Sequence, residues 1–268
     1  MSRIHPLAHV DASAVLDPSV VVGPFAVIGP GVRIGADCEI RTHAVIDGPG
    51  TTLGARNVVH SHAVLGGPPQ DKKYHGEDVA AVIGDDNVFR EFCTVNRGTP
   101  GGGGLTRVGS RGLFLAGAHI AHDCFVGDDV ILGNNVLLAG HVVVEERASM
   151  SGGSGMHHFG TIGTLAYIGG LTRLVRDAPP FMITEGHPAR TVKVNAIGMA
   201  RAGYSPERIE TVRRAFRHVF RRLHATWQES FAALDTAGIA SPEVDRLRDY
   251  FAKMAAGRHG RAREALRH

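Results

Sequence analysis

The sequence predicts an all-β solenoid, a left-handed parallel β-helix built from hexapeptide repeats, followed by a small α-helical C-terminal domain. Three observations predict it. From Val108 an apolar residue recurs every six positions, through Phe114, Ile120, Val126, Leu132, Leu138, Val144, Met150, Met156, Ile162, Ile168 and Leu174. Four places after such an anchor stands a small or β-branched residue, Ala118, Cys124, Val130, Val136, Val142 and Ala148 among them. The composition sets 35 glycines and 43% hydrophobic residues against only 6% aromatics, which suits a regular β architecture with tight corners rather than disorder.

A period of six is neither the 3.6 of a helix nor the 2 of an alternating strand. Each hexad then makes one short strand and one corner, and three hexads close a coil of about 18 residues whose inward anchors stack about 4.8 Å apart. Known proteins with this hexad coil left-handed, against the usual crossover preference, and the same hand is expected here.

Residues 1–190 are assigned to this β-helix. Its first anchors are Ile4, Val10, Leu16, Val22, Ile28, Ile34, Ile40 and Ile46, with one extra residue before Leu53, Val59 and Leu65, and the series resumes at Ile83, Phe89 and Val95. Two stretches break the register and are expected as loops, 66–81 and 97–107, where binding groups concentrate on a rigid scaffold. Cys38, Cys93 and Cys124 all fall at the second apolar position, so packing is their expected role. Glycines directly after anchors, such as Gly23, Gly29, Gly35, Gly127, Gly133 and Gly163, are expected at corners that need positive φ.

The repeat fades after Leu174, and residues 191–268 are assigned to the helical domain. Ser205-Pro206-Glu207 opens a helix with Ile209, Val212, Phe216, Val219, Phe220 and Leu223 on one face, and Ser241-Pro242-Glu243 opens another. Residues 201–268 carry 14 Lys and Arg against 8 Asp and Glu, while residues 1–200 carry 15 against 18. The arginines there, Arg208, Arg213, Arg214, Arg217, Arg221 and Arg222, lack interleaved aromatics. They could meet nucleic acid, but an acidic protein or phosphates would serve equally. No apolar run approaches the roughly 18 residues of a membrane span, and the opening MSRIHPLAHVDAS lacks the apolar core of a signal peptide, so a cytoplasmic location is expected.

Candidate chemistry lies among the histidines. Residues 18 or 36 apart share a column of the coil, which aligns His122, Gly140 and His158, with His141 and His157 one residue off and His119 three residues before. His43 and His62 also align and are read as a surface pair. Two chemistries fit the cluster. Three imidazoles can bind zinc, as in the gamma-class carbonic anhydrases, which would make a hydro-lyase. An imidazole with an unperturbed pKa near 6.5 can instead serve as general base, with Asp123 orienting His122. The spacing alone leaves both open.

QDKKY (70–74), NRGT (96–99), GGGLT, GAHIAHDC (117–124), LAGHV (138–142), GMHHF (155–159) and the tail DAPPF…GHPAR…VNAIG together resemble the UDP-N-acetylglucosamine O-acyltransferases. These acyl-carrier-protein-dependent enzymes begin lipid A biosynthesis. The resemblance implies a homotrimer with its sites between subunits, no metal or other cofactor, and acyl carrier protein and UDP-N-acetylglucosamine as partners. It implies that His122 is the base acting on the sugar 3-hydroxyl, that Asp123 supports it, and that the Gly140 N–H stabilises the oxyanion. Gln70, Asp71, Lys73 and His119 would meet the substrate, with Asp71 and His119 on the glucosamine. His141 and His157 would line the site, and His158 stands where relatives often have a Gln contacting the nucleotide sugar. Asn195 would hold the uridine end and Arg201 a phosphate. Gly170, lacking a side chain, would leave the acyl channel open to a chain of roughly C12 or more, each buried CH₂ adding about 0.8 kcal/mol. Ile197 and Ala202 replace an acidic residue and an arginine of the nucleotide segment, and Asn96 stands where some relatives have His. A 3-amino analogue of the sugar is therefore carried as a second acceptor. Sibling N-acyltransferases bear an extra N-terminal domain, which hexads running from Ile4 lead us not to expect.

Overall fold

The computed structural model describes residues 4–221 and 226–266; Arg222 and Leu223 lie outside the described residues. Short strands pair in parallel with the strand one coil away, so that His119–Ile120, Leu137–Leu138, Gly155–Met156 and Arg173–Leu174 are successive rungs of one face. Phe125–Val126, Val143–Val144 and Thr161–Ile162 belong to a second face. Leu113–Phe114, Ile131–Leu132, Ser149–Met150 and Tyr167–Ile168 belong to a third. Among the described residues the three sheets hold nine, eight and ten strands.

The twelve anchors from Val108 to Leu174 are all buried, none above 3% exposed, and form one continuous core inside the prism. Ile4 is exposed and Val10 and Leu16 are half-buried, since among the described residues no coil stacks beneath them. All three cysteines are buried and free, and burial pushes the Cys93 thiol up to about 11 and the Cys124 thiol up to about 12. Thiols so far from ionisation are packing groups, inert at neutral pH.

The corners differ from expectation. Positive φ occurs three places after the anchors, at Phe25, Asp37, His43, Arg56, His62 and their successors, most of them not glycine. Gly23, Gly29, Gly35, Gly127, Gly133 and Gly163 are instead held to glycine by the next coil. A Cβ on Gly127 would stand 2.8 Å from the Glu146 nitrogen, and one on Gly133 would stand 2.7 Å from the Gly152 nitrogen. Coil spacing, not backbone handedness, therefore excludes a side chain there. The surface pair His43 and His62 stacks between Phe25 and Phe92, with ring centroids 5.1–5.2 Å apart.

At the far end Met182–Glu185 extends the third face and Arg190–Val194 returns antiparallel to it. Four α-helices follow among the described residues: α1 (Ala196–Arg201), α2 (Pro206–Phe216), α3 (Trp227–Thr236) and α4 (Pro242–Ala256). Ser205 and Ser241 cap α2 and α4 through their side chains, each with Pro in the first turn. Ile209, Val212 and Phe216 bury their side chains in a second core with Phe231, Leu234 and Leu247. The segment beyond α4 turns back onto the β-helix. Its Ala262 N–H donates to Asp177 Oδ2 at 2.7 Å, and buried Arg261 pairs with Glu264 at 2.9 Å while donating to the Val175 carbonyl.

Candidate active site

His122 and Asp123 occupy the corner that follows the strand His119–Ile120. Asp123 is in the left-handed region, φ 59°, and is 1% exposed. The register break at 97–107 folds over it. The Thr99 N–H donates to Asp123 Oδ1 at 2.8 Å and the Thr99 hydroxyl donates to Oδ2 at 2.7 Å. The Asp123 N–H in turn donates to Thr106 Oγ1 at 2.8 Å. Gly102 closes the cover, because a Cβ there would lie 2.1 Å from the Asp123 carboxyl carbon.

His122 Nδ1 lies 2.7 Å from Asp123 Oδ2. Burial alone would raise the Asp123 carboxyl, but the hydrogen bonds from His122 and Thr99 outweigh it and hold the acid below its ordinary value. An ionised carboxylate only accepts, so His122 Nδ1 carries the hydrogen and Nε2 is left free to take a proton. His141 Nε2 is 3.7 Å from the same Asp123 oxygen, and its ring stacks on Phe159 at 4.3 Å. His119 Nδ1 is 2.7 Å from Thr94 Oγ1. Burial lowers the pKa of both His119 and His141, and repulsion from His122 adds to it, so each favours the neutral form.

Gly140 sits directly beneath the imidazole: a Cβ there would be 2.5 Å from His122 Cε1. Its N–H has no hydrogen-bond partner among the described residues. A cavity of about 390 Å³ brings His122, His141 and His158 together with Gln70, Asp71 and Lys73 of the first loop. A second, of about 380 Å³, runs along the first face past His119, Gly140 and His157 to Arg173 and shares His122 with the first. Asn195, Ile197, Arg201 and Ala202 line a separate cavity of about 680 Å³ on the third face, with no residue in common with either. The amide of Asn195 caps α1, accepting from the Gly198 N–H and donating to the Leu165 carbonyl at 2.8 Å. Gly170 is exposed and lines neither His122 cavity, and a Cβ there would meet only ordinary contacts.

The family model of the UDP-N-acetylglucosamine O-acyltransferases, domain 2, matches residues 177–260, and that of bacterial transferase hexapeptide repeats matches residues 13–48. An acyl-[acyl-carrier-protein]–UDP-N-acetylglucosamine O-acyltransferase of Anaeromyxobacter sp. (strain K) is 50% identical over 179 residues, 67% of this chain and 69% of the relative. The chain belongs to that family. The relative from Synechocystis sp. (strain ATCC 27184 / PCC 6803 / Kazusa) is 42% identical over 194 residues, covering 72% of this chain and 69% of its own length. Among solved structures, the UDP-N-acetylglucosamine acyltransferase of Bacteroides fragilis 9343 superposes with a TM-score of 0.88 at 35% identity, over 92% of this chain and 96% of that one. The left-handed coil is common to these O-acyltransferases and this chain.

Several contributors to the site are given no role by the sequence, although Thr99, Thr106, Phe159 and Tyr74 lie inside the motifs that carry the resemblance. Thr99 and Thr106 hold the acid, Phe159 backs His141, and Tyr74 and Leu266 wall the first cavity. Thr99 is signalled by the NRGT motif and by its position in a register break, neither of which says that it holds Asp123. Leu266 arrives from the far end of the chain, which the hexad pattern does not reach.

The hydro-lyase reading finds nothing in its favour. His122, Asp123 and His141 come within 4.8 Å of one another, but this is two imidazoles and a carboxylate, not three imidazoles. Asp123 Oδ1 already accepts from the Thr99 N–H and Oδ2 from the Thr99 hydroxyl, while His122 Nδ1 points at the carboxylate rather than at a shared centre. Two imidazoles and a carboxylate are a donor set that zinc accepts, but here the carboxylate and His122 Nδ1 are engaged with each other and with Thr99, so the cluster is not arranged as a resident zinc site.

Proposed function

We propose that this chain moves a 3-hydroxyacyl group from acyl carrier protein to the 3-hydroxyl of UDP-N-acetylglucosamine, with His122 as general base. The observation that carries the mechanism is the His122–Asp123 pair, 2.7 Å apart, with the Gly140 N–H, unpartnered among the described residues, beside the imidazole. His122 Nε2 takes the hydroxyl proton as the sugar oxygen attacks the thioester carbonyl. The Gly140 N–H donates to the oxyanion, a type of contact commonly contributing about 3–4 kcal/mol. Collapse breaks the C–S bond, and the imidazolium returns its proton to the leaving thiolate. Asp123 stabilises that imidazolium and fixes the tautomer.

Asp71, Lys73, Gln70 and His158 are the proposed sugar-side contacts, and His119 and His157 flank the groove toward Arg173. Asn195 acts in this proposal by shaping the nucleotide cavity, since its amide is engaged within the chain. The division of the expected substrate contacts between two cavities that share no residue favours a homotrimer in which one copy supplies His122 and its neighbour Arg201. Gly170 keeps room for a chain of roughly C12 or more, each buried CH₂ adding about 0.8 kcal/mol. The donor docks on the arginine-bearing face of α2, where Arg213 and Arg217 share the single acid Glu210 and so leave the face positive. A cytoplasmic location belongs to the same proposal.

The test pairs the full-length protein with His122→Ala, using 3-hydroxyacyl carrier-protein thioesters and either UDP-N-acetylglucosamine or its 3-amino analogue. Loss of turnover with mass and melting temperature retained supports the base. Turnover unchanged by the substitution would falsify it.

A further inference from the structure

One corner of the coil, between the second and third faces, carries an alternating column of charge. Asp37, Arg56, Asp86, Arg111, Asp129 and Arg147 occupy the same position in successive coils, all with φ between 55° and 60°. Their backbones are tied coil to coil by bonds such as Arg56 N–H to the Ala36 carbonyl and Arg147 N–H to the Asp128 carbonyl. Each inner arginine has acids to match it: Arg56 Nε lies 2.6 Å from Asp86, and Arg111 lies 2.8 Å from Asp129 and 3.0 Å from Asp128.

The alternation stops at Arg147. The next position of the column calls for an acid, and Leu165 stands there. Below Arg147, Asp129 is 3.9 Å away and already bound by Arg111 at 2.8 Å. Glu145 and Glu146, its sequence neighbours, are engaged with Thr164 and Arg246. Arg147 thus closes the column as a half-matched cation, and it lines the 680 Å³ cavity that also holds Arg201. Arg201 makes no ion pair among the described residues. Two guanidiniums in one recess walled by Tyr167, Ile183 and Ile197 suit a ligand with a phosphate end and a flat, partly apolar end.

We infer that Arg147 is a binding residue for the diphosphate of the nucleotide substrate, acting with Arg201 and supplying from a neighbouring coil the second cation that Ala202 does not offer. The inference rests on the sugar-nucleotide reading above and adds a residue to it. Geometry favours Arg over Lys at this place, because a planar fork can keep its Nε edge 3.9 Å from Asp129 while donating its other N–H groups to phosphate oxygens.

The experiment measures UDP and uridine affinity by calorimetry, and kcat and KM for UDP-N-acetylglucosamine, on the full-length wild type, Arg147→Gln, Arg147→Lys and Arg56→Gln. Arg147→Gln should weaken UDP about tenfold or more, the usual loss for a hydrogen bond between charged groups, and leave uridine affinity alone. Its KM should rise more than its kcat falls, and Arg147→Lys should recover part of the loss. Arg56→Gln removes a rung of the same column whose partner Asp86 does not line the cavity, and should leave UDP affinity unaltered. If all Arg147 variants bind UDP like the wild type while the wild type acylates the sugar nucleotide, the role of Arg147 is wrong and the function stands. A wild type that neither binds UDP nor acylates UDP-N-acetylglucosamine overturns both. Should Arg147→Gln melt early, Arg147→Lys, which keeps the ion pair, supplies the same comparison.

Discussion

Replacing Asp123 with Asn changes one atom and should disable the base while leaving the corner folded. The Thr99 N–H, 2.8 Å from Oδ1, must keep an acceptor, so the new NH₂ takes the place of Oδ2. There it faces His122 Nδ1 at 2.7 Å and the Thr99 hydroxyl, which can rotate to accept. A donor opposite Nδ1 forces that nitrogen to accept, and the imidazole proton moves to Nε2, the atom meant to receive the sugar proton. The charge that would stabilise the imidazolium disappears as well. Wrong-tautomer substitutions of this kind cost about 10⁴ in kcat, or about 5 kcal/mol in the barrier. Because the hydrogen bonds to Thr99 survive in number, the melting temperature should fall by no more than a few degrees. Steady-state acyl transfer from a 3-hydroxyacyl carrier protein, followed with the melting curve, reads both. An Asp123→Asn enzyme working within tenfold of wild type would show that the carboxylate neither sets the tautomer nor supports the charge.

Gly140→Ala places a methyl 2.5 Å from His122 Cε1 and should cut kcat by about 100-fold, as displacements near 1 Å at a reacting group do, with little change in thermal stability. Gly127→Ala, whose Cβ would meet the Glu146 nitrogen at 2.8 Å, should cost about 1–3 kcal/mol in urea unfolding; an unchanged midpoint would mean that the coils separate freely. Asp177 supplies a pH signature: burial pushes its carboxyl up to about 6, against the N–H groups of Ala262 and Thr161 that partly offset it. The folded state then binds this proton more tightly than the unfolded chain does, so stability should fall by up to about 3 kcal/mol as the pH rises from about 4 to 6. Melting temperatures across that window should lose this slope in Asp177→Asn, and a slope identical to wild type would refute the assignment.

The hexad anchors were legible because the side of each residue is fixed by counting, and the burial of Val108 through Leu174 follows from that count alone. The corner glycines were legible as to place but not as to cause. Positive φ and close approach of the next coil both favour Gly, and only the coil-to-coil distance separates them. Column counting also aligned His122 with Gly140, but it could not supply Thr99, whose hydroxyl reaches Asp123 from a loop that leaves the register. The charged column is hidden in the sequence for the same reason. Insertions place its members at intervals of 19, 30, 25, 18 and 18 residues, and no fixed period connects Arg56 to Asp86 or Asp86 to Arg111. Leu266 reaches the His122 cavity through helix packing, which follows no repeat shared with the coil.

The three corners of the coil put one device to three uses. A side chain in the left-handed region costs about 1–2 kcal/mol relative to the ordinary conformation, so residues other than Gly persist there only if something else holds them. At the first corner the rings of Phe25, His43, His62 and Phe92 stack at 5.1–5.2 Å, and at the second the alternating column pairs its charges. The third corner carries Asp123, His141 and Phe159, all with positive φ, with His141 stacked on Phe159 at 4.3 Å and 3.7 Å from Asp123. The acid proposed to support the base is therefore one rung of a structural column. It departs from the other two corners in what covers it, since the loop through Thr99 and Gly102 removes Asp123 from water. Burial would neutralise a lone carboxylate, and His122 together with the donors brought by that same loop keeps this one charged. A break in the hexad register thus converts a stabilising corner into one able to hold a base in its working tautomer.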